Sequence, residues 1–166
     1  NILKTLSKGV YTLGKITTNF EKNFSKYIGV KYCVSVNSGT DAIKISLLAL
    51  GIGRGDEVIT SSHTALATIS AIIDTGATPV LLDINEKTYN LDESLIEKSI
   101  SKKTKAIIPV HIYGQSCNMS AIKKIASQYS LKIIEDCSQA AGTTFNKKFV
   151  GSIGAVSYTH LTLPTT

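Results

Sequence analysis

Short apolar segments alternate with amphipathic helical segments through most of this 166-residue chain. The runs at 80–82 and 106–108 contain only Val, Leu, Ala and Ile. Strands of a parallel sheet read as unbroken apolar runs because helices cover both of their faces. The alternation therefore predicts an α/β fold with three layers, α/β/α, around a mainly parallel sheet.

The boundaries of these segments follow from hydrophobic period and turn residues. An aromatic stripe predicts an earlier helix over 18–27, Asn146 and Lys147 predict a hairpin loop, and a further strand is expected after Gly154. The length suits one core and hence one domain. We expect strands near 32–36, 57–60, 79–83, 105–111 and 131–136, and helices near 40–50, 64–74, 92–100 and 119–129.

Composition excludes several classes of function. The net charge is +6, but the lysines are spread over predicted helix surfaces and loops without an arginine cluster, so no nucleic-acid partner is expected. No apolar run approaches the roughly 18 residues of a membrane helix, and no leader peptide is visible, so we expect a cytoplasmic protein without a membrane partner. The three cysteines lack metal-site spacing and are predicted to be buried thiols, with no metal bound.

Polar side chains follow one predicted strand at its end. The strand at 131–136 ends in Asp136, and Gln139 comes shortly after it. In an open parallel sheet, ligands bind outside the carboxyl ends of the strands, so both side chains are candidates for holding a ligand. A strand-terminal aspartate can also cap the next turn, and that alternative stays open for Asp136 taken alone.

A second candidate lies at the turn 37–40, which opens the helix predicted at 40–50. Backbone amides at a helix N-terminus are a natural site for a phosphate, although Asn-Ser-Gly is also an ordinary turn. Gly39 and Thr40, taken with Asp136, favour one ligand that has a phosphate at one end and a basic ring nitrogen at the other. Pyridoxal 5'-phosphate (PLP) has both groups, so it is the expected cofactor.

Two histidines also follow predicted strands. His63 can either stack on a flat ring or pack at a helix entrance, and the sequence favours neither, whereas His111 is expected to pack structurally. Other chemistries lack their motifs. The segment 9–16 approaches a P-loop but has Ile16 where a magnesium-binding hydroxyl belongs. The first strand–helix turn lacks the G-x-G-x-x-G of nicotinamide-binding folds.

The ordered motifs of the chain match one known family. They are Tyr11–Gly14 with Phe20–Glu21, Val36–Ala42, Gly55–Ile59, Gly76–Val80, Pro109–Gln115, Ile134–Ala140 and Gly151–Gly154. In this order they resemble the DegT/DnrJ/StrS family of PLP-dependent sugar aminotransferases. The resemblance runs from about Tyr11 to Ser157, and it implies the large domain of an aspartate-aminotransferase-type (fold type I) enzyme that acts as a homodimer.

The resemblance also implies roles for individual residues. Gly39 and Thr40 would bind the cofactor phosphate, Asp136 would keep the pyridine nitrogen protonated, and Gln139 would lie near the phenolic oxygen. The aromatic residue that stacks on the ring in many members falls at Ala65 here. His63 is therefore assigned to that role.

The implied activity is transfer of an amino group, with glutamate as the expected donor, to a keto group of a nucleotide-linked deoxysugar. The segment Ser62–Thr68 is similar to members that act at C3 of a thymidine-diphosphate keto sugar. In the family, the lysine to which the cofactor attaches lies beyond the strand that follows Gly154, and no lysine of this chain matches it. No catalytic residue is therefore assigned, and we expect this chain by itself to be inactive.

Two alternatives stay open. A lysine-free module could use the same fold for binding or regulation without catalysis, and some sugar dehydratases of the family have a histidine in place of that lysine. His160 lies too close to Ser157 to fit the dehydratase spacing. Residues 1–157 are accordingly predicted to be an incomplete PLP-binding domain, and the Thr-rich residues 158–166 a non-native tail.

Overall fold

The chain divides into two units, residues 1–35 and 36–166, and a sheet forms the centre of the second. The computed structural model describes residues 2–7, 9–10 and 13–159. The strands are β1 (Glu57–Ser61), β2 (Thr78–Leu82), β3 (Thr104–Ile108), β4 (Lys132–Asp136), β5 (Thr144–Phe145), β6 (Lys148–Phe149) and β7 (Val156–Tyr158). Five of them form the sheet in the order β2-β1-β3-β4-β7 with every neighbouring pair parallel, and β5 and β6 form an antiparallel hairpin.

Six α-helices lie in the described parts of the chain. Among these residues, no helix combines the length and apolarity that crossing a bilayer requires. The helices are α1 (Ile2–Leu6), α2 (Lys15–Ile28), α3 (Gly39–Ala49), α4 (Leu66–Asp74), α5 (Ile96–Ser99) and α6 (Met119–Gln128).

Two apolar clusters lie on opposite faces of the sheet. One combines side chains of α3 and α4 with Ile108 and Ile134, and the other combines side chains of α5 and α6 with Ile107 and Ile133. Successive side chains of a strand point to opposite faces, so consecutive isoleucines serve the two clusters in turn. Helices therefore cover both faces, and the predicted three-layer α/β/α architecture is confirmed.

Most predicted elements of this unit match the structure, with two instructive differences. Strand β3 ends at Ile108 rather than at 111, because Pro109 has no N–H to continue the ladder. The helix predicted at 92–100 is a 3-10 turn over Glu93–Leu95 followed by the single-turn α5. The predicted hairpin loop is confirmed, and Asn146 and Lys147 both have the positive φ of a tight hairpin turn.

The first unit contains the predicted aromatic stripe. In α2, the rings of Phe20 and Phe24 stack with centroids 5.6 Å apart, and the helix ends at Gly29, whose φ is 82°. The strand predicted at 32–36 is wrong, because no ladder within the described residues includes this segment. Tyr32 and Val34 are 75% and 77% exposed, so the apolar pattern there lacks both a strand partner and a covering layer.

The predicted tail is described only in part. Tyr158 lies in β7, where it pairs with Asp136 of β4. His160 and the rest of the segment 160–166 lie outside the described residues.

Candidate functional site

The strand order locates a crevice at the carboxyl edge of the sheet. From β1 the chain crosses first to β2 on one side, and then to β3 on the other side. Such a reversal separates the loops that follow the two strands, and ligands of open α/β sheets bind in that gap. The loop after β1 carries His63 and the loop after β3 carries Tyr113, so both residues flank this crevice.

Asp136, at the end of β4, is a buried carboxylate held by neutral donors. Its exposed fraction is 2%. Oδ1 accepts from the backbone N–H and the hydroxyl of Ser138 at 3.1 and 2.7 Å, and Oδ2 accepts from the hydroxyl of Thr68 at 3.1 Å. No lysine or arginine among the residues with described structure forms an ion pair with it. A carboxylate in this setting suits a ligand that brings its own positive charge.

The second predicted half of the site is the N-terminus of α3. Ser38 caps the helix, since its Oγ accepts from the N–H of Asp41 at 3.1 Å. The N–H groups of Gly39 and Thr40 have no acceptor within the described chain, as expected for a first helical turn. These two amides are therefore available to an anion.

One aromatic ring contacts both halves. A Cβ placed on Gly39 would lie 2.9 Å from Cε2 of Tyr158, so only a glycine leaves room for this ring. Burial raises the pKa of the Tyr158 hydroxyl, and the neighbouring charge of Asp136 raises it further. Tyr158 is therefore next to both Gly39 and Asp136, and the structure brings the two predicted halves together.

The remaining predicted residues, His63 and Gln139, meet at Tyr113. Gln139 Oε1 accepts from the backbone N–H of Tyr113 at 2.8 Å. His63 Nε2 is 3.0 Å from the Tyr113 hydroxyl, and the two ring centroids are 5.8 Å apart. Tyr89, from the loop after β2, is also near His63, at 6.5 Å between centroids. Rings from the loops after β2, β1 and β3 thus gather around His63 at the carboxyl edge of the sheet.

His111 is structural, as predicted. Its side chain is fully buried, Nδ1 accepts from the N–H of Cys117 at 3.0 Å, and Nε2 is 3.2 Å from Oε2 of Glu135. Because Nδ1 accepts, Nε2 carries the proton that is donated to Glu135. Both ring nitrogens are therefore used within the fold.

Glu135 precedes Asp136 in β4 and is equally buried, but its environment is different. Its two oxygens accept from the N–H groups of Gly151, Ile153 and Gly154 at 2.9, 2.8 and 2.6 Å. Burial alone would raise the pKa of Glu135, but the bonds from His111 and these amides outweigh it, so the pKa lies below its usual value. This carboxylate fixes the loop before β7.

His111, Glu135 and Cys137 form a group whose potential metal-ligand atoms lie within 4.8 Å of one another. The histidine nitrogens and the carboxylate oxygens are already hydrogen-bonded. Burial raises the pKa of the Cys137 thiol well above its ordinary value, so the sulfur stays protonated. The hydrogen bonds that these side chains make within the fold explain why they lie close together.

Sequence reasoning missed several residues of this site, and Thr68 and Tyr113 show why. Thr68 lies on the buried face of α4, and a hydroxyl at an otherwise apolar position was the available signal. Tyr113 precedes Gly114 in the motif Pro109–Gln115, but nothing in the local pattern indicated that it contacts both His63 and Gln139.

Comparison with known proteins identifies one family. The model of the DegT/DnrJ/EryC1/StrS aminotransferase family matches residues 1–160. The dTDP-3-amino-3,6-dideoxy-alpha-D-galactopyranose transaminase of Aneurinibacillus thermoaerophilus is 50% identical over 151 residues, which are 91% of this chain and 42% of that protein. The UDP-2-acetamido-2-deoxy-3-oxo-D-glucuronate aminotransferase of Pseudomonas aeruginosa is 44% identical, covering 95% of this chain and 44% of that protein.

The solved structures agree in fold. The crystal structure of NtdA from Bacillus subtilis with bound cofactor PMP has a TM-score of 0.86 and 41% identity, over 90% of this chain and 34% of that chain. The chain therefore spans about two fifths of the length of the curated relatives named above.

Proposed function

This chain belongs to the DegT/DnrJ/EryC1/StrS aminotransferase family, and from that premise we propose that residues 1–157 form part of the PLP-binding domain of a sugar aminotransferase. The whole protein transfers an amino group from glutamate to the keto group at C3 of a nucleotide-linked deoxysugar, and it acts as a homodimer. Two relatives support the sugar position, since one is a dTDP-3-amino-sugar transaminase and the other is an aminotransferase of a UDP-linked 3-oxo sugar.

The observation that carries this proposal is the environment of Asp136. A buried carboxylate without a cationic partner among the described residues fits a protonated pyridine nitrogen. Thr68 and Ser138 hold its two oxygens in place without neutralising it. When bound, PLP supplies an electron sink for the bond changes at the amino-bearing carbon. Asp136 keeps the ring nitrogen protonated, which that chemistry requires.

The other residues bind and orient. The N–H groups of Gly39 and Thr40 would bind the phosphate, whose charge the positive end of α3 favours. His63 would stack on the ring, and Gln139 would bind the ring's phenolic oxygen. None of these side chains replaces the lysine to which the cofactor attaches, and no lysine of this chain matches that position.

The cofactor site can be tested on the chain itself with pyridoxamine 5'-phosphate (PMP), which has no aldehyde and does not react with surface lysines. We expect PMP binding, measured by quenching of its fluorescence, to be weakened about tenfold or more by Asp136→Asn, since a charge-assisted hydrogen bond is lost. Asp74→Asn is the matched control, because Asp74 lies on the surface of α4 with its side chain 54% exposed. Equal affinities of Asp136→Asn and the parent chain would contradict the proposal.

Because no lysine of this chain matches the cofactor-attaching position, we make a separate prediction about activity. The purified 166-residue chain, given PLP, glutamate and a dTDP-linked 3-keto-6-deoxysugar, should form no amino sugar detectable by mass spectrometry. Product formation would show that a group within this chain replaces the lysine, and the assignment of no catalytic residue would then be wrong. A relative such as the Aneurinibacillus transaminase serves as the positive control.

A further inference from the structure

Tyr113 is hydrogen-bonded to Gln139 and His63, two of the residues proposed to bind the cofactor. Its backbone N–H donates to Gln139 Oε1 at 2.8 Å, and its hydroxyl lies 3.0 Å from His63 Nε2. Tyr113 is 70% exposed, so packing in the core does not explain its placement. These two bonds connect the loops that follow β1, β3 and β4.

The backbone of Tyr113 is strained. Its φ and ψ are 55° and 21°, in the left-handed region that an aromatic residue rarely adopts, and Gly114 follows with a φ of 78°. Such a conformation persists only where the surroundings hold it. Gln139 holds the N–H of Tyr113, and the Thr143 hydroxyl holds the carbonyl of Gly114 at 2.7 Å. Backbone strain of this kind, next to the crevice at the carboxyl edge of the sheet, is typical of functional positions.

The contact between Tyr113 and His63 spans the gap between the loops that follow β1 and β3. That gap is the reversal point of the strand order, where ligands of such sheets bind. A ligand in the crevice therefore meets a histidine ring whose orientation depends on a tyrosine hydroxyl.

The bond to Gln139 sets the direction of its side-chain amide. Since Oε1 accepts from Tyr113, the NH₂ group is the end left to face a ligand. An amide fixed in this way offers a donor to an anionic oxygen on a ring.

We propose that Tyr113 is a positioning residue for a flat, phosphate-bearing pyridine ring. Its hydroxyl orients the His63 ring, and its backbone N–H fixes the Gln139 amide with the donor end toward the ligand. The inference rests on the proposed function, because it takes the pyridine ring of PLP or PMP as the ligand of the crevice.

The first test uses the ligand-free chain. Tyr113→Phe keeps the ring and the backbone N–H but removes the hydroxyl, so the imidazole nitrogen resonances of His63 should shift as the tautomer populations change. Tyr32→Phe is the control, because Tyr32 is 75% exposed and lies in the other unit of the chain. Identical His63 spectra for Tyr113→Phe and the parent chain would overturn the positioning role.

The second test measures PMP affinity by fluorescence. Tyr113→Phe should bind about threefold to tenfold more weakly, as expected for one lost hydrogen bond, while Tyr32→Phe should bind like the parent chain. Gln139→Glu keeps an acceptor for the Tyr113 N–H but removes the NH₂ donor, and it should weaken PMP binding while the Tyr113 N–H stays protected from hydrogen exchange.

Unchanged affinity in both Tyr113→Phe and Gln139→Glu would overturn the inference even if PMP binds. Failure of the parent chain to bind PMP would instead overturn the proposed function. The ligand-free His63 spectra would still decide whether Tyr113 orients that ring, so the two failures are distinguishable.

Discussion

Glu135 and Asp136 are consecutive carboxylates at the end of β4, both buried, and their surroundings give them different roles. Glu135 lies on the α6 face and accepts from three backbone N–H groups and His111. Asp136 lies on the α4 face and is bonded by Thr68 and Ser138. The strand's alternation separates two residues that are alike in type and burial.

The difference teaches how to separate a structural carboxylate from a functional one. Glu135 has its negative charge matched by donors of its own fold, and its removal would leave three backbone amides without acceptors. Asp136 has donors that orient it, two of which are hydroxyls free to rotate toward other acceptors. The first carboxylate should therefore control stability, and the second should control ligand binding.

The largest expected effect is the loss of stability on removing the Glu135 side chain. Glu135→Ala should lower the free energy of unfolding by about 3–5 kcal/mol, because it leaves three backbone N–H groups and the Nε2 proton of the buried His111 without their acceptor. Urea unfolding followed by circular dichroism measures this. Glu86→Ala, at an exposed position, is the control and should change stability little. If Asp136→Ala cost as much as Glu135→Ala, the division of roles would be wrong.

A milder change at the same residue is protonation. The folded-state pKa of Glu135 is lowered from the ordinary value of 4.5, so its contribution to stability is fully present above that pH. The contribution is lost as the pH falls through the folded-state pKa. The free energy of unfolding should therefore fall less steeply below pH 4.5 for Glu135→Gln than for the parent chain. Parallel pH profiles in urea unfolding would argue against this assignment.

The smallest expected effect comes from removing the hydroxyl of Thr68, which supports Asp136. Thr68→Val keeps the shape of the residue but removes the hydroxyl that donates to Oδ2, which should cost about 1 kcal/mol of stability and weaken PMP binding a few-fold. The hydroxyl of Thr64 bonds Thr68 at 3.0 Å, and no bond from it to Asp136 is present. Thr64→Val should therefore affect PMP affinity less, and the reverse order of the two variants would count against Thr68 as the support of Asp136.

The fold could be predicted from the sequence where a pattern has one physical meaning. The apolar runs that became β1, β3 and β4 contribute side chains to both clusters, one on each face of the sheet, and α6 buries Met119, Ile122 and Ala126 at helical spacing. The segment 32–36 has a similar composition but no strand pairs with it among the described residues. A local pattern specifies the tendency to be extended, whereas a strand also requires a partner.

The candidate site divides in the same way. Asp136 and Gly39 could be found from strand ends and helix starts, because those positions follow from topology. Thr68 contacts Asp136 across 68 residues of sequence, and Tyr113 contacts His63 across 50. Such contacts depend on packing between elements, which single-sequence patterns do not encode.

The left-handed backbone of Tyr113 has a consequence for engineering. A search for more stable variants would select Tyr113→Gly early, because glycine adopts a φ of 55° without steric conflict. The same exchange would delete the hydroxyl that meets His63. Thermostability selection without a binding screen would thus remove the proposed positioning residue, a direct trade-off between stability and ligand recognition.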